Sequence, residues 1–508
     1  MYFTYVCYFC IVFLVILWYG GFRYKRRNMY RLVKKVKSPK TLFPFFGISI
    51  EVLGNTEAIM NKMKHYSEFS TSSGGVACGW LGPLLYYMIT DAEKIEVVLK
   101  TVLEKDGLHR FIRVLVGNAS IFSKVSIWRP RRKIAVTAFS PKILSEFVNV
   151  FSVQSDKLAN KLKPMAGAGN FKLWPYVNAY SLDAIMETAM GVQINAQDGQ
   201  GNPILTAVNE SLRLSSERIF HLWLQPDWLY KLFPQYSQLL YHTRIVHDFT
   251  TEIIRKKKMD LNTKNKDITP KPDVVQGNLE TTFLDHLIRQ SDLQGGYSDL
   301  ELREEVLTFI IAAMDTSATT MGFVLKLLAK YPEIQQRVFN ELDAVFEGSD
   351  RLLHKHDLAK LQYLERVIKE TLRLFPSVPF IIRKAEYDTQ LTEDITLPKG
   401  AGIICSIWGV HRNPTIWGPD ANCFDPDRFL PERCKDLPAC AYIPFSFGPR
   451  NCLGYQYAMM SMKTALSTLL RRYRVVGTPE TGPIPHIRVK LEVMLKAVDE
   501  YELAIVER

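Results

Sequence analysis

Stretches in which apolar residues recur every three or four positions dominate the chain and predict amphipathic helices. These helices are predicted at about 142–163, 180–191, 205–219, 239–258, 301–330, 332–346, 361–374 and 455–472. Strand-like runs are fewer, as in Leu84–Thr90 and Ile403–Ile407. Turn formers and polar residues interrupt the pattern at Asn195–Pro203 and Asn262–Glu280, which we predict to be surface loops. The pattern favours a mainly helical fold with small β-sheets and contains no internal repeat.

The N-terminal segment has a different pattern, because residues 1–22 are apolar and carry no charge. A helix of that length can cross a hydrocarbon core of about 30 Å. A cleaved signal peptide is the alternative, but signal peptides carry positive charge before a shorter apolar run, whereas here Arg23, Lys25, Arg26 and Arg27 follow it. We therefore expect a retained single-pass anchor, with the rest of the chain in the cytosol because positive flanks stay there.

The charge of the chain is concentrated next to this anchor. The formal net charge is +12, and residues 21–40 contain nine Lys or Arg and no Asp or Glu. That position favours contact with a lipid surface over nucleic acid. Residues 23–47, which include Pro39 and Pro44, are expected to form a basic, semi-rigid linker. The remaining residues, 48–508, are expected to form one catalytic domain, because their motifs lie scattered from residue 128 to residue 454.

The eight cysteines do not predict a disulfide framework, since a cytosolic domain is kept reduced. Cys7 and Cys10 lie in the anchor, and five others show no zinc-type spacing: Cys78, Cys405, Cys423, Cys434 and Cys440. Cys452 is the exception because of the residues around it.

The segment around Cys452 reads F-S-F-G-P-R-N-C-L-G and directly precedes a predicted helix. Free amides at a helix start stabilise a thiolate. Gly448 allows a sharp turn, and Gly454 leaves room for a flat macrocycle. Arg450 can bind a carboxylate, and Phe445 provides an aromatic wall. An inert buried thiol is the alternative. The pattern favours Cys452 as the axial ligand of a haem iron.

A second candidate site lies in the apolar helix around residues 305–324, where Asp315, Thr316 and Ser317 interrupt a run of apolar side chains. Burying these polar groups costs free energy unless they are paired or hold water. Thr316 can bond the carbonyl one turn back and open the helix locally, while Ala313 leaves space for a small ligand. A structural polar pair is the alternative.

Two further pairs have helical spacing. Trp128 and Arg132 lie four residues apart, and a surface pair is the simplest interpretation of them alone. Pro130 between them is accepted in the first helical turn, which predicts a helix start near Trp128. Glu370 and Arg373 form an i, i+3 pair of a common kind.

In combination, these motifs resemble the cytochrome P-450 family of haem-thiolate monooxygenases, over nearly the whole chain. The resemblance rests on the order and spacing of Trp128-x-x-x-Arg132, Ala313-x-Asp315-Thr316, Glu370-x-x-Arg373, Asp427-Arg428-Phe429 and the Cys452 loop. It implies the fold of that family, with haem between a distal oxygen-activation helix and the proximal cysteine loop.

The resemblance also implies a role for each site residue. Thr316 would organise water above the iron, and Asp315 would help to supply protons to dioxygen. Arg373 and Glu370 would form a buried network with Arg428. The residues implied at the haem propionates are Trp128, Arg132, Arg383 and Arg450.

Within the family, Glu305-Val306-x-Thr308-Phe309 is similar to the branch of fatty-acid ω-hydroxylases and many insect microsomal enzymes. Many members of that branch carry a Glu that forms an ester with haem. Ala312 occupies this position, so we expect haem b without that covalent link. The resemblance also implies the endoplasmic reticulum membrane as the location.

The implied activity is insertion of one oxygen atom from dioxygen into a lipophilic small molecule such as a fatty acid, terpenoid, hormone or xenobiotic. The sequence contains no convincing dinucleotide or flavin motif, so electrons from NADPH would require a separate cytochrome P-450 reductase, with cytochrome b5 as a second candidate partner. A haem-thiolate isomerase or dehydratase and a noncatalytic haem-binding protein are the alternatives, and Asp315 and Thr316 disfavour the first.

Overall fold

The computed structural model describes residues 2–40, 47–49, 51, 54–137, 139–199, 202–266, 282–291 and 296–508. The α-helices in these ranges are α1 (Tyr2–Lys25), α2 (Arg27–Val33), α3 (Thr56–Ser72), α4 (Ala92–Thr101), α5 (Arg113–Val116), α6 (Val125–Thr137), α7 (Pro141–Leu162), α8 (Trp174–Thr188), α9 (Pro203–Phe220), α10 (Asp227–Tyr230), α11 (Pro234–Lys266), α12 (Phe283–Ser291), α13 (Asp299–Lys330), α14 (Pro332–Phe346), α15 (Lys355–Leu358), α16 (Gln362–Leu374), α17 (Ile407–Val410), α18 (Pro414–Trp417), α19 (Pro431–Cys434) and α20 (Tyr455–Arg472).

The β-strands are short by comparison. They are β1 (Val76–Leu81), β2 (Leu84–Ile89), β3 (Phe171–Lys172), β4 (Phe380–Lys384), β5 (Thr389–Gln390), β6 (Thr396–Leu397), β7 (Gly402–Ser406), β8 (Tyr473–Val476), β9 (Val489–Leu491), β10 (Leu495–Ala497) and β11 (Glu502–Glu507). The prediction of a mainly helical fold with small sheets is confirmed.

Four strands form the largest sheet, in the order β1-β2-β7-β4. Its first pair is antiparallel, with Val76 opposite Ile89, and β7 then runs parallel to β2. The other sheets have the orders β3-β11-β8, β9-β10 and β5-β6. The β9-β10 pair is an antiparallel hairpin in which Lys490 lies opposite Lys496.

Helix α13 runs through the main core, and its residues are largely buried from Leu302 onward. Ser298 and Glu301 close its N-terminus with a reciprocal capping box, which satisfies amides that the helix leaves free. The main hydrophobic cluster joins α13 to side chains of α7, α8, α16 and α20. This core fixes α13 relative to α20, the helix that follows Cys452.

The predicted loops differ in part from the structure. Helix α11 continues to Lys266, so the first residues of the predicted loop Asn262–Glu280 are helical, and residues 267–281 lie outside the described ranges. An exposed helix end rich in Lys, Asn and Thr has the same composition as a loop, which explains the error. In the other loop, Ala196–Asp198 forms a 3₁₀ turn and Pro203 begins α9.

The N-terminal helices have different surroundings. The apolar side chains of α1 described here are exposed, among them Phe9, Phe13 and Leu14. Helix α2 instead packs on the domain, where Tyr30 stacks on Trp80 with ring centroids 4.9 Å apart. Part of the predicted linker 23–47 is therefore helical and bound to the sheet. Cys7–Lys25 and α13 are both long and apolar enough to cross a membrane, and α13 is a largely buried core helix.

Candidate active site

The loop that carries Cys452 lies between a 3₁₀ turn, Gly448–Arg450, and helix α20. The Cys452 amide donates to the carbonyl of Phe445 at 2.8 Å, which closes the loop. Gly448 has a φ of +74°, and a Cβ there would lie 2.7 Å from the carbonyl oxygen of Leu99. Glycine is required at this position because the turn is left-handed and lies against the end of α4.

The Cys452 side chain is exposed, although the surrounding protein desolvates its sulfur. Burial raises the pKa of the thiol, while a backbone hydrogen bond from Gly454 and the charge of Arg132 act in the opposite direction. The sulfur is therefore surrounded by protein and poorly hydrated, although part of the side chain remains accessible. A bound metal ion would overcome the raised pKa, because coordination deprotonates a thiol.

Helix α6 carries the predicted pair Trp128 and Arg132. The helix begins at Val125, so the predicted start near Trp128 is wrong. The carboxylate of Glu104 accepts the Val125 amide at 2.8 Å and caps the helix from outside it. Pro130 lies inside the helix on the exposed side, where water can solvate the carbonyl that lacks an amide partner.

The two side chains of the pair contact different parts of the cysteine loop. Arg132 donates to the carbonyl and side-chain oxygens of Asn451, at 3.0 and 2.7 Å. Trp128 is buried beneath the guanidinium of Arg450, whose Cζ lies 4.5 Å from the indole centroid. Both residues therefore adjoin the segment from Arg450 to Cys452.

Three cations lie together next to this loop. Arg383 is 1% exposed, and Lys105 forms a β-bridge with it. Burial and the charges of Arg383 and Arg450 hold the pKa of Lys105 well below its usual value. Burial, with the charge of Arg383, lowers the pKa of Arg450 to about 10. The Nε atoms of Arg383 and Arg450 have no hydrogen-bond partner among the described residues.

These cations fit the carboxylates of a haem. Burying positive charge without a partner costs free energy, which an anion at the same place would offset. Guanidinium groups bind carboxylates well because their planar forks match carboxylate geometry. A haem offers two propionates for Arg383 and Arg450 and an iron for Cys452, so the donor set present here suits that cofactor.

One face of α13 is partly exposed although most of the helix is buried. The residues of this face are spaced i, i+3, i+4 and i+7, and they are Phe309, Ala312, Ala313 and Thr316. The Thr316 hydroxyl donates to the carbonyl of Ala312 at 2.7 Å, as predicted. The helix stays regular there, so the predicted local opening does not occur. A carbonyl has two lone pairs and can accept this bond together with its helical one.

Asp315 points to another side of α13, about 100° around the axis from Thr316. It is 1% exposed, and its Oδ1 lies 2.9 Å from Nζ of Lys496 on β10. Lys496 is not among the site residues predicted from the sequence. Its signal is a single lysine between the buried apolar residues Leu495 and Ala497, since a lysine in such a run needs a partner.

The buried ion pair behind the loop has the predicted members. Arg373 donates to both carboxylate oxygens of Glu370, at 2.6 and 2.7 Å, and both side chains are fully buried. Arg428 approaches the same carboxylate at 3.7 Å. His411 accepts the Ile443 amide at 2.9 Å and contacts the Arg373 carbonyl at 3.1 Å. This network reaches the chain two residues before Phe445.

The family model described as cytochrome P450 matches residues 37–502. The chain belongs to the cytochrome P450 family. It is therefore a cytochrome P450 monooxygenase with a haem cofactor.

Relatives of this cytochrome P450 occur in insects and mammals. Cytochrome P450 4c21 of Blattella germanica is 33% identical over 98% of this chain and 98% of its own length. Cytochrome P450 4c3 of Drosophila melanogaster is 32% identical over 92% of this chain and 87% of its own. Human cytochrome P450 4V2 is 35% identical over 78% of this chain and 75% of its own.

Arg131 is a second residue that the sequence reasoning missed in this cytochrome P450. It lies in the basic run 129–133, yet its guanidinium is buried and lies 3.0 Å from the carboxylate of Glu305 on α13. Burial raises the pKa of Glu305, and bonds from Ser120 and Arg131 oppose that rise. The pair joins α6 to α13, and no local sequence pattern separates Arg131 from Arg132.

A cavity of about 180 Å³ lies elsewhere on α13, lined in part by Arg113, His247, Arg303 and Leu307. Leu307 precedes Thr316 by nine residues, which places the two on opposite faces of the helix. The cavity therefore lies on the other side of α13 from the face that carries Thr316.

Proposed function

We propose that this cytochrome P450 is a single-pass enzyme of the endoplasmic reticulum membrane that hydroxylates a lipophilic small molecule. The balanced reaction is R–H + O₂ + NADPH + H⁺ giving R–OH + H₂O + NADP⁺. The electrons would come through a separate NADPH-cytochrome P-450 reductase, with cytochrome b5 as a second donor, because the sequence has no dinucleotide motif.

The proposal rests on the exposed Cys452 side chain, whose sulfur is desolvated, and on the buried Arg383 and Arg450 near it. The Nε atoms of both arginines have no hydrogen-bond partner among the described residues. Cys452 would ligate the iron, with Phe445 beside it and Gly448 and Gly454 keeping backbone close. Bound haem supplies dioxygen activation, which thiolate donation favours. Arg383 and Arg450 would hold the propionates.

Two residues of α6 would support the haem-binding residues. Trp128 would orient the Arg450 fork through their stacking, and Arg132 would add positive charge near Cys452. The haem would be haem b without a helix ester, because Ala312 has no carboxyl group.

The face of α13 that carries Ala313 and Thr316 would lie on the side of the haem opposite Cys452. There, Ala313 would leave space for dioxygen, and Thr316 would hold a water or a proton at its Oγ1. Both lie on the partly exposed face of α13. Asp315 would pass protons from solvent to that face. Asp315 and Thr316 disfavour the isomerase alternative, because that reaction consumes no protons.

Helix α1 supports the membrane assignment. Its 24 residues correspond to about 36 Å of helix, longer than a hydrocarbon core of about 30 Å. Its last turn carries Arg23 and Lys25, which would lie at the cytosolic headgroups. Deleting residues 1–22 should abolish integral insertion while haem binding persists. Loss of haem binding in that variant would contradict the assignment.

The ligand is tested by the carbon monoxide spectrum of the reduced protein. Wild type should have the red-shifted Soret band of a thiolate complex. Cys452→His should retain haem but lose that band and nearly all oxygen insertion, and Cys452→Ser should bind haem weakly. Cys440→Ser, at a buried cysteine of the neighbouring core, should match wild type. A thiolate spectrum that survives in Cys452→Ser would refute the assignment.

The activity itself is tested with purified reductase, NADPH and vesicles. Product formation that requires both NADPH and dioxygen supports the proposal. Haem binding without such turnover would identify a noncatalytic protein, and conversion of hydroperoxides without NADPH would identify an isomerase or dehydratase. Substrate-induced spectral shifts with fatty acids, terpenoids and xenobiotics would then identify the substrate class.

A further inference from the structure

The cavity of about 180 Å³ lies where α5, α11 and α13 meet. Its polar lining residues are Arg113, His247, Arg303 and Glu304. A drug-sized ligand needs about 300–1,000 Å³, whereas this volume holds about six waters, or one small ion with a few waters, since a water occupies about 30 Å³. The cavity therefore suits a small polar ligand.

Two arginines from different elements line the cavity, Arg113 from α5 and Arg303 from α13. The Nη2 of Arg113 donates to the carbonyl of Phe122 at 2.7 Å, which holds this side chain in place. The Nε atoms of both arginines are buried and have no hydrogen-bond partner among the described residues. Buried donors of a charged group cost free energy when they lack a partner, and an anion in the cavity would supply the missing acceptors.

Glu304 also lines the cavity, but its carboxylate is bound by the loop after α5. Burial raises the pKa of Glu304, and a hydrogen bond from the Asn118 backbone acts in the opposite direction. Gly117 has a φ of +60°, and a Cβ there would overlap the Glu304 carboxylate. Glycine therefore lets the backbone approach this side chain closely. Because the carboxylate is held at the wall of the cavity, it offsets at most one of the two arginine charges.

His247 adds no charge to the cavity. Its Nε2 lies 2.7 Å from the carbonyl oxygen of Leu115, so this nitrogen carries the proton and donates it. Burial lowers the pKa of His247, and the charge of Arg303 acts in the same direction. The ring is therefore neutral, and the cavity keeps a net positive charge. The bond to Leu115 also joins α11 to the short helix α5.

The cavity is separate from the site proposed for haem. Leu307, which lines it, lies on the opposite face of α13 from Thr316. Arg383 and Arg450, the proposed propionate partners, are not among the lining residues. A ligand in this cavity would therefore contact neither the Thr316 face nor the haem cations.

We propose that the cavity is a binding site for a phosphate group, held between the guanidinium groups of Arg113 and Arg303. The planar fork of an arginine matches phosphate through two parallel hydrogen bonds. A phosphate monoester carries a charge of about −1.5 to −2 at pH 7, which suits two arginines better than one. The bound group joins α5 to α13. A soluble phosphate ester and the headgroup of a lipid such as phosphatidic acid both offer this chemistry.

The test measures binding of radiolabelled inorganic phosphate to the full-length, haem-loaded protein in phosphatidylcholine vesicles, by equilibrium dialysis at constant ionic strength. We expect saturable binding of one phosphate per haem. Arg113→Met and Arg303→Met should each lower the affinity at least tenfold, because each removes a charged fork. Wild-type protein that binds no phosphate overturns the proposal, and so does unchanged affinity in Arg303→Met. The measurement needs neither NADPH nor turnover, so it does not depend on the proposed reaction.

Arg244→Met is the matched control. It removes one positive charge from an exposed position of α11, where Arg244 lies 3.7 Å from Asp248. This variant should bind phosphate with wild-type affinity. An equal loss of affinity in Arg244→Met and Arg303→Met would mean that phosphate responds only to the total charge, which overturns the proposal. Affinities are expressed per haem, so that loss of folded protein is not counted as loss of binding.

Hydrogen exchange in the wild-type protein tests the location without a substitution. Phosphate should slow amide exchange several-fold in α5 and around His247, because it joins α5 to α13, and should leave α20 unchanged. Protection confined to α20 overturns the proposal. The Soret band should stay in place while phosphate binds. A shift of that band in parallel with binding would locate the phosphate at the haem, which also overturns the proposal.

Two competitors distinguish the sources of the phosphate group. Displacement of labelled phosphate by glycerol 3-phosphate supports a soluble ester as the ligand. Displacement by phosphatidic acid, added to the vesicles, supports a lipid headgroup. If neither compound displaces the label, the cavity does not accept phosphate monoesters and the proposal is overturned.

Discussion

The guanidinium of Arg450 lies over the indole ring of Trp128, with its Cζ atom 4.5 Å from the ring centroid. Its Nη2 donates to the carbonyl of Ser123 at 2.8 Å, while its Nε has no partner among the described residues. The stacking and this bond fix the plane of the guanidinium. One donor edge is left for an anion, which a lysine could not present in the same way.

Removing a buried cation should therefore have opposite effects on the two forms of the protein. In Arg383→Met, haem affinity should fall by at least tenfold, because a propionate partner is lost. The free energy of unfolding of the apoprotein should rise, because an unpaired buried charge is removed. Haem titration and denaturant unfolding measure the two quantities. Arg474→Met, at an exposed strand position, should change neither.

Thr316→Val should keep the shape of the side chain while removing its hydroxyl. We expect normal haem and substrate binding but several-fold less product per NADPH, with the missing electrons in peroxide or water. Thr316→Ser should retain most of the coupling. Thr464→Val is the control, because Thr464 makes the same hydroxyl bond one turn back at 2.8 Å in α20. Unchanged coupling in Thr316→Val would refute the role of the hydroxyl.

Breaking the pair of Glu370 and Arg373 should destabilise the fold strongly. Arg373→Met leaves a fully buried carboxylate without its bidentate partner, which costs about 3–5 kcal/mol. Denaturant unfolding of the haem-loaded protein measures the loss. Arg255→Ala breaks an i, i+3 pair of the same type on the exposed side of α11 and should leave the transition unchanged. Equal effects of the two variants would contradict the assignment.

Stability should also fall on acidification, in part because of His411. Burial, with the charge of Arg373, lowers the pKa of His411 to about 3 from its usual 6.5. The unfolded chain therefore binds more protons between these pH values, and the free energy of unfolding falls as pH decreases from about 6.5 toward 3, by up to about 1.4 kcal/mol per pH unit. This direction follows because protonation removes the Nε2 acceptor of the Ile443 amide.

His411→Gln cannot titrate, so its unfolding free energy should depend less steeply on pH across that window. Burial also lowers the pKa of His109 to about 3, so part of the slope should remain. The exposed His356 provides the control, and His356→Gln should reproduce the wild-type profile. An identical slope in His411→Gln and wild type would contradict the prediction.

The sequence predicted the fold well where the cause is local. The eight predicted helices all occur. Most of them bury one apolar face that their periodicity marks, and α13 is apolar over most of its surface. The turn at Gly448 is a local feature of the same kind. The motifs themselves, such as the Cys452 loop and the pair of Glu370 and Arg373, could be recognised as well, since each consists of residues close together along the chain.

The features that were missed depend on residues far apart in the sequence. Helix α6 starts at Val125 because the carboxylate of Glu104 accepts the amide of that residue. The predicted start was based on Pro130 alone, and Pro130 gives no information about Glu104. Arg131 and Arg132 are adjacent arginines, and only the packing of α6 on α13 buries the first. Lys496 meets Asp315 because a hairpin near the C-terminus folds back on α13.

The contact of Tyr30 with Trp80 bears on how the domain is held relative to the proposed membrane anchor. Arg26 alone separates α1 from α2, and its side chain donates to the carbonyl of Pro83. If α1 lies in the bilayer as proposed, these contacts hold the domain close to its anchor and restrict its rotation relative to the membrane. One flank of the molecule would then always face the lipid, and a hydrophobic substrate dissolved there would meet the protein from a constant direction.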